Sequence, residues 1–243
     1  MFWNEPVCLG KGEDFMKKYD VFLFDADGTL FDFEKAAVNA LRIMFDYCGF
    51  EYTDEIWEVY RQINLRAWKS YEKGEISSDV LKTIRFEQLF DKIGVYYDTK
   101  EFNERYLYEL GKGVFLIDGA LEICREIVAC GKKIYIVTNG MRETQESRIK
   151  YSPLNEYIGD FFVSELIGFQ KPHIAYFEHV FLNIPNFDKD KAIIIGDSLA
   201  ADIAGGNNAG LDSCWLNMKG AVNDTELVPT YEVRGLGELR MFV

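Results

Sequence analysis

The residues Val21-Phe22-Leu23-Phe24 form an apolar run with no polar break, and it stops at Asp25-Ala26-Asp27-Gly28-Thr29. A strand wetted on one side alternates apolar and polar residues, whereas a run without alternation belongs to a strand covered on both faces, as in parallel sheets. Asp25 then sits at the carboxyl end of the strand. That end of an open α/β sheet is where ligands bind, in the crevice above the strand tips. On this stretch alone, an Asx turn that merely reverses the chain accounts for Asp27-Gly28 equally well.

The pattern recurs further along the chain. Ile134-Tyr135-Ile136-Val137 is a second apolar run and ends in Thr138-Asn139-Gly140. Phe161–Val163 reads as a short third strand, Ala192–Ile195 as a fourth that ends in Gly196-Asp197, and Cys214–Leu216 as a fifth. A helix over Leu121–Cys130, closed by Gly131, precedes the second strand. Strands that alternate with helices predict an α/β fold, a doubly wound, Rossmann-like parallel sheet.

Between the first two strands the apolar spacing becomes helical. Leu41, Phe45 and Cys48 follow one stripe, and Ile56, Val59, Tyr60 and Ile63 another. Ser77 or Ser78 is placed to N-cap a helix carrying Leu81, Ile84, Leu89 and Ile93, which Gly94 closes. Asp98 and Glu101 suit the start of a fourth helix that runs to Gly111. The predicted organisation is therefore a core domain of residues 16–33 and 113–243 with an all-helical insert at 34–112. Residues 1–15 show no period, precede a second methionine, Met16, and read as a loose tail or an upstream start.

At 243 residues, 48% hydrophobic and 28% charged, the chain is long enough for a large core and has an ordinary globular composition. A net charge of -13 argues against nonspecific nucleic-acid binding, so an anionic substrate has to meet a locally positive site. The five cysteines are odd in number and contain no Cys-x-x-Cys pair, which points to reduced thiols rather than a disulfide framework or a zinc site. No apolar stretch approaches the roughly 20 residues of a membrane span, and the N-terminus lacks a signal pattern. The expectation is a cytoplasmic protein, monomer or homodimer, without a membrane or nucleic-acid partner.

The strand tips together carry more information than any one of them. The first offers Asp25 and Asp27, the second Thr138, and the fourth Asp197 with Asp202 in "GDSLAAD", while Lys171-Pro172 opens a helix after the third. Such a set converging on one crevice is a site rather than a turn. Three or four uncompensated carboxylates in a partly buried cleft repel one another by several kcal/mol. A divalent cation relieves that repulsion, and an all-oxygen ligand set favours Mg²⁺. His173 and His179 lack the i,i+4 spacing of a metal pair and read as structural.

These residues resemble the haloacid dehalogenase superfamily of phosphotransferases. "DADGT" is similar to its first motif, "IYIVTN" to its second, "QKP" to its third and "GDSLAAD" to its fourth, in the family's order and spanning residues 19–217. The insert resembles the family's C1 cap, which closes over the active site. The resemblance implies Asp25 as nucleophile, Asp27 as general acid/base, and Thr138 and Lys171, with the backbone N–H groups of Asn139 and Gly140, as phosphate-binding and charge-neutralising groups. It further implies a Mg²⁺ held by Asp25, Asp197 and the backbone carbonyl of Asp27, with Asp202 orienting Lys171 or the metal's waters. On that reading two aspartates stand together because one attacks phosphorus while the other manages protons.

Within the superfamily, "YRQINLRAWKSYEKGEIS", "RFEQLF" and "GDSLAADIAGGNNAGLDSCWLN" are most similar to the branch of 5′-nucleotidases that takes noncanonical pyrimidine nucleoside monophosphates. The implied substrate is a small phosphomonoester, a nucleoside monophosphate. Asn64, Arg66 and Trp68 are the candidate substrate-contacting residues of the cap, on one helix that offers an aromatic and polar face; packing explains them equally well. Gln170 before the motif lysine departs from the pattern. A phosphoglycolate or sugar-phosphate phosphatase, or a phosphomutase, shares every core motif. A dehalogenase has no use for Asp27 as an acid toward an alkoxide, and a phospho-aspartate receiver is disfavoured by the insert after the first motif.

Overall fold

A computed structural model describes residues 17–243. The predicted tail and Met16 lie outside the described residues. From the first strand, β1 (Val21–Phe24), the chain enters four helices, α1 (Phe33–Cys48), α2 (Asp54–Glu72), α3 (Ser78–Ile93) and α4 (Thr99–Lys112). Next come α5 (Ala120–Ala129), β2 (Lys133–Thr138), α6 (Arg142–Tyr151), β3 (Ile158–Val163), α7 (Ser164–Ile167) and α8 (Ile174–Asn183). After β4 (Ala192–Gly196), a π-helical turn over Leu199–Ile203 leads into α9 (Ala204–Ala209), β5 (Asp212–Leu216) and β6 (Tyr231–Val233). No helix of the described residues is long and apolar enough to cross a membrane.

Two compact units result. One holds the described residues up to Asp32, Leu116–Gly140 and Ser152–Val243; the other holds Phe33–Phe115 and Met141–Tyr151. The second unit thus reaches one residue before and three beyond the predicted insert, and it takes in residues 141–151, which fall within the predicted core span 113–243.

In the first unit the six strands lie in the order β3-β2-β1-β4-β5-β6, all parallel. The central strand β1 pairs Phe22 with Ile134 on one side and with Ile193 on the other. All four of its residues are buried, as the unbroken apolar run requires. Val21 and Leu23 share a core with Tyr135, Val137, Ile194 and the α8 residues Tyr176, Phe177 and Val180. Phe22 and Phe24 point to the opposite face by strand alternation and are fully buried. The sequence predicts five strands; the structure has a sixth, β6, only three residues long at the sheet edge.

In the second unit α1 to α4 bury one stripe each against a shared core that includes Leu41, Phe45, Tyr60, Leu81, Phe86, Phe102 and Tyr106. The caps are as the sequence suggested. Ser77 accepts from the backbone N–H of Val80, Asp98 from those of Lys100 and Glu101, and α3 closes at Gly94. Inside this core lies a buried guanidinium: Arg85 donates to Asn64 Oδ1 at 3.1 Å and to Asn103 Oδ1 at 2.8 Å. The aromatic rings of Phe86 and Tyr106 lie beneath it at 5.0 and 5.4 Å.

Candidate active site

Three of the candidate side chains, Asp25, Thr138 and Asp197, stand where a buried strand runs out, because a strand covered on both faces meets water only at its ends. Asp25 follows β1, and its backbone N–H continues the ladder to the carbonyl of Ile195 at 2.8 Å. Thr138 ends β2, and Asp197 follows β4. Lys171 arrives from the loop after α7 and reaches inward. All of these residues belong to the sheet-containing unit.

Lys171 ties the site together. Its Nζ donates to Asp25 Oδ1 at 2.7 Å, to Asp202 Oδ1 at 2.6 Å and to the carbonyl of Val137 at 2.6 Å. An ammonium has three protons, so each has a partner. The side chain is 1% exposed. Burial alone depresses the pKa of such a group; Asp202 and then Asp25 more than reverse this, and Lys171 stays charged above the ordinary lysine value. The ammonium is therefore a fixed positive charge rather than a proton donor.

Its backbone is held as firmly. Asn139 donates from Nδ2 to the carbonyl of Lys171 at 2.9 Å and accepts the Lys171 N–H on Oδ1 at 2.8 Å. Both ends of the amide serve Lys171, so a phosphate contact by Asn139 would come from its backbone N–H. Thr138 Oγ1 accepts the N–H of Gly140 at 3.0 Å, and its own hydroxyl proton is a further donor. Lys171-Pro172 does not open the following helix directly: α8 starts at Ile174, and the N-cap is His173, whose Nδ1 accepts from the N–H of Ala175. That agrees with a structural role for His173.

Asp202 turns back toward the sheet from the π-helical turn. Its second oxygen accepts from the backbone N–H of Ser198 at 3.0 Å, and the carboxylate packs over Gly196. A Cβ on Gly196 would fall inside the contact radius of that carboxyl group. Gly196→Ala is therefore expected to lower stability by about 1–3 kcal/mol and to reduce turnover by displacing Asp202 from Lys171, measurable by denaturant melts and phosphate-release rates. Unchanged values for both would refute this packing.

The negative charges exceed the positive one. Carboxylate oxygens of Asp25, Asp197 and Asp202 lie within 4.8 Å of one another. Burial, the largest influence, raises the Asp25 carboxyl well above the ordinary range, with Lys171 opposing and Asp202 and Asp197 reinforcing it. Asp197 has a face open to solvent, yet the protein around its other sides raises its carboxyl too, with Asp202 the next contribution. The open face tempers the size of that rise. An oxygen-only cluster with surplus negative charge and an open side fits a hard divalent cation. Asp27 is half-buried beside it, and Gly28, at φ 82°, lets the chain pass the cluster: a Cβ there would lie 2.5 Å from Asp197 Oδ2.

In the helical unit the three candidate residues do not form one face. Asn64 and Trp68 lie four residues apart on the same side of α2, whereas Arg66 is exposed and two residues from each, which a 3.6-residue period turns away from both. Asn64 is buried with its carbonyl on Arg85. Trp68 is half-buried, edge-on to Tyr71 at 5.7 Å.

Comparison with known proteins identifies the family. Residues 22–216 match the family model of the haloacid dehalogenase-like hydrolases. YfnB from Bacillus subtilis, described as a HAD-hydrolase, is 41% identical over 92% of this chain and 95% of its own. Its crystal structure bound to magnesium superposes with a TM-score of 0.87, covering 92% of this chain and 97% of that one. The pyrimidine 5′-nucleotidase PynA of Streptococcus pneumoniae is 35% identical over 91% of this chain and 93% of its own. The pyrimidine 5′-nucleotidase YjjG of Escherichia coli is 31% identical over 93% and 98%.

Proposed function

The chain belongs to the haloacid dehalogenase-like hydrolases, and on that premise we propose that it is a Mg²⁺-dependent phosphoric monoester hydrolase acting on pyrimidine nucleoside 5′-monophosphates. The observation that carries the chemistry is the fixed Lys171 ammonium between Asp25, at the tip of β1, and Asp202, in the π-helical turn after β4. The substrate class rests on the two nucleotidase relatives.

Asp25, Asp197 and the backbone carbonyl of Asp27 would hold the Mg²⁺, which when bound neutralises phosphate charge and the cluster's own repulsion. Asp25 attacks phosphorus in line: an O–P bond forms to its carboxylate as the bond to the nucleoside oxygen breaks, giving an aspartyl-phosphate. Asp27 gives its proton to the leaving alkoxide. It then takes a proton from the water that cleaves the acyl-phosphate, so inorganic phosphate leaves and both aspartates return to their starting states. Lys171 keeps Asp25 oriented, and Thr138 with the N–H groups of Asn139 and Gly140 donates to the phosphoryl oxygens. Asp202 holds Lys171. Reading of the base is assigned to the helical unit, with Trp68 as the candidate aromatic surface.

A phosphate-release panel tests the reading. UMP, dUMP or dTMP should lead AMP, glucose 6-phosphate and phosphoglycolate in kcat/KM by at least about tenfold, or about 1.4 kcal/mol of transition-state discrimination. Trp68→Ala should erode that lead more than it slows p-nitrophenyl phosphate, and chelation should abolish turnover until Mg²⁺ is restored. If phosphoglycolate or a hexose phosphate heads the panel, the nucleotidase assignment is wrong and the phosphatase chemistry stands; full turnover in excess chelator refutes the metal.

A further inference from the structure

We propose that Trp215 is a positioning residue for metal binding, its indole N–H fixing the backbone of Asp197 and so the direction in which the Asp197 carboxylate points. The inference rests on Asp197 being a metal ligand, as argued under the proposed function. The indole Nε1 donates to the carbonyl of Asp197 at 2.9 Å. Asp197 is the residue at which β4 has ended and the π-helical turn has not begun, so its carbonyl has left the strand ladder. Trp215 is in register with Gly196 on the neighbouring strand, which lets its ring reach one residue past the last pair.

The ring is only 5% exposed, so the donor is held by packing and not by its own hydrogen bond alone. At the carboxylate end of Asp197, Gly28 sits so close that a Cβ would lie 2.5 Å from Oδ2. The carboxylate is thus bounded at its tip by Gly28 and at its root by the indole. A single rigid N–H on a buried aromatic suits this task, because a carbonyl at a strand end with nothing to hold it lets the following peptide rotate. Groups that orient metal ligands without touching the metal commonly change affinity about 10–100-fold when removed.

The test is Trp215→Phe, which keeps an aromatic ring and removes the N–H. Mg²⁺ is titrated into the metal-free protein without substrate, following the rise in melting temperature, and separately into the phosphatase assay. The expected result is a Mg²⁺ midpoint raised about tenfold in both titrations, with the lost activity recovered at high Mg²⁺. A packing defect would not be recovered by metal. An unchanged midpoint in a variant whose wild-type parent does respond to Mg²⁺ overturns the role of Trp215. No response in the wild type overturns the metal reading itself and this proposal with it. Should the variant fail to fold, wild-type protein carrying ¹⁵N-labelled indole decides: the Trp215 N–H resonance, identified by elimination with Trp3→Phe, Trp57→Phe and Trp68→Phe, must shift with the same midpoint as activation, and a resonance indifferent to Mg²⁺ overturns the proposal.

Discussion

Asp25→Asn is expected to leave a folded protein whose turnover falls by at least about 10³-fold. Asparagine keeps the volume and still offers Lys171 an oxygen to bond, so the anchor at the tip of β1 survives. What disappears is the nucleophile, since a neutral amide cannot form the acyl-phosphate. The change also removes one of the clustered negative charges, so the metal-free variant should melt no lower than the wild type. Phosphate release and a thermal melt decide it, with mass spectrometry to exclude deamidation back to aspartate. Turnover within about tenfold of wild type would sink the covalent route.

Lys171→Met acts on stability as well as on rate. Lys171 is the cation between two buried carboxylates, and methionine replaces its stem without its charge. Removing one partner of a buried ion pair costs about 3–5 kcal/mol because the other is left uncompensated, and here two are left. We expect a loss of at least that size in urea unfolding of the metal-free protein, together with a turnover loss of about 10³-fold. Adding Asp202→Asn should restore much of the stability and none of the turnover. Independent, additive effects of the two substitutions on stability would argue that the three groups do not act as a unit.

The fold was legible wherever one physical requirement dominated. Both-face burial made Val21–Phe24 and Ile134–Val137 readable as strands, and the caps at Ser77 and Asp98 were visible because orphan N–H groups need side-chain acceptors. Helix α6 was not legible. Its sequence, "RETQESRIKY", has no apolar stripe, because apart from Ile149 its buried face is polar: Thr144 donates to the carbonyl of Leu107 and Arg148 to that of Leu110. Strand β6 is too short to carry a period.

In the candidate site, the sequence pointed to the side chains but not to what holds them. Asp25, Lys171 and Asp202 come together, yet the Asn139 clamp on the Lys171 backbone has no local pattern. Trp215 reads as one more apolar strand residue. The proposed face of Asn64, Arg66 and Trp68 failed on helical geometry alone, since i,i+2 residues diverge.

The interleaving of the two units has a consequence for synthesis. β1 leaves the ribosome before the other strands of the sheet, but Phe22 has no partner until Ile134 is made and lacks its second until Ile193 follows. The helical unit can begin to form in between from contacts local in sequence, yet it waits for α6, which packs on α4 and comes after β2. Each unit is thus completed only after part of the other has been translated, and pairings so distant in sequence are the slow ones. A chain stopped before β4 would carry the most apolar strand of the sheet with one edge bare, the state most open to joining another unfinished chain.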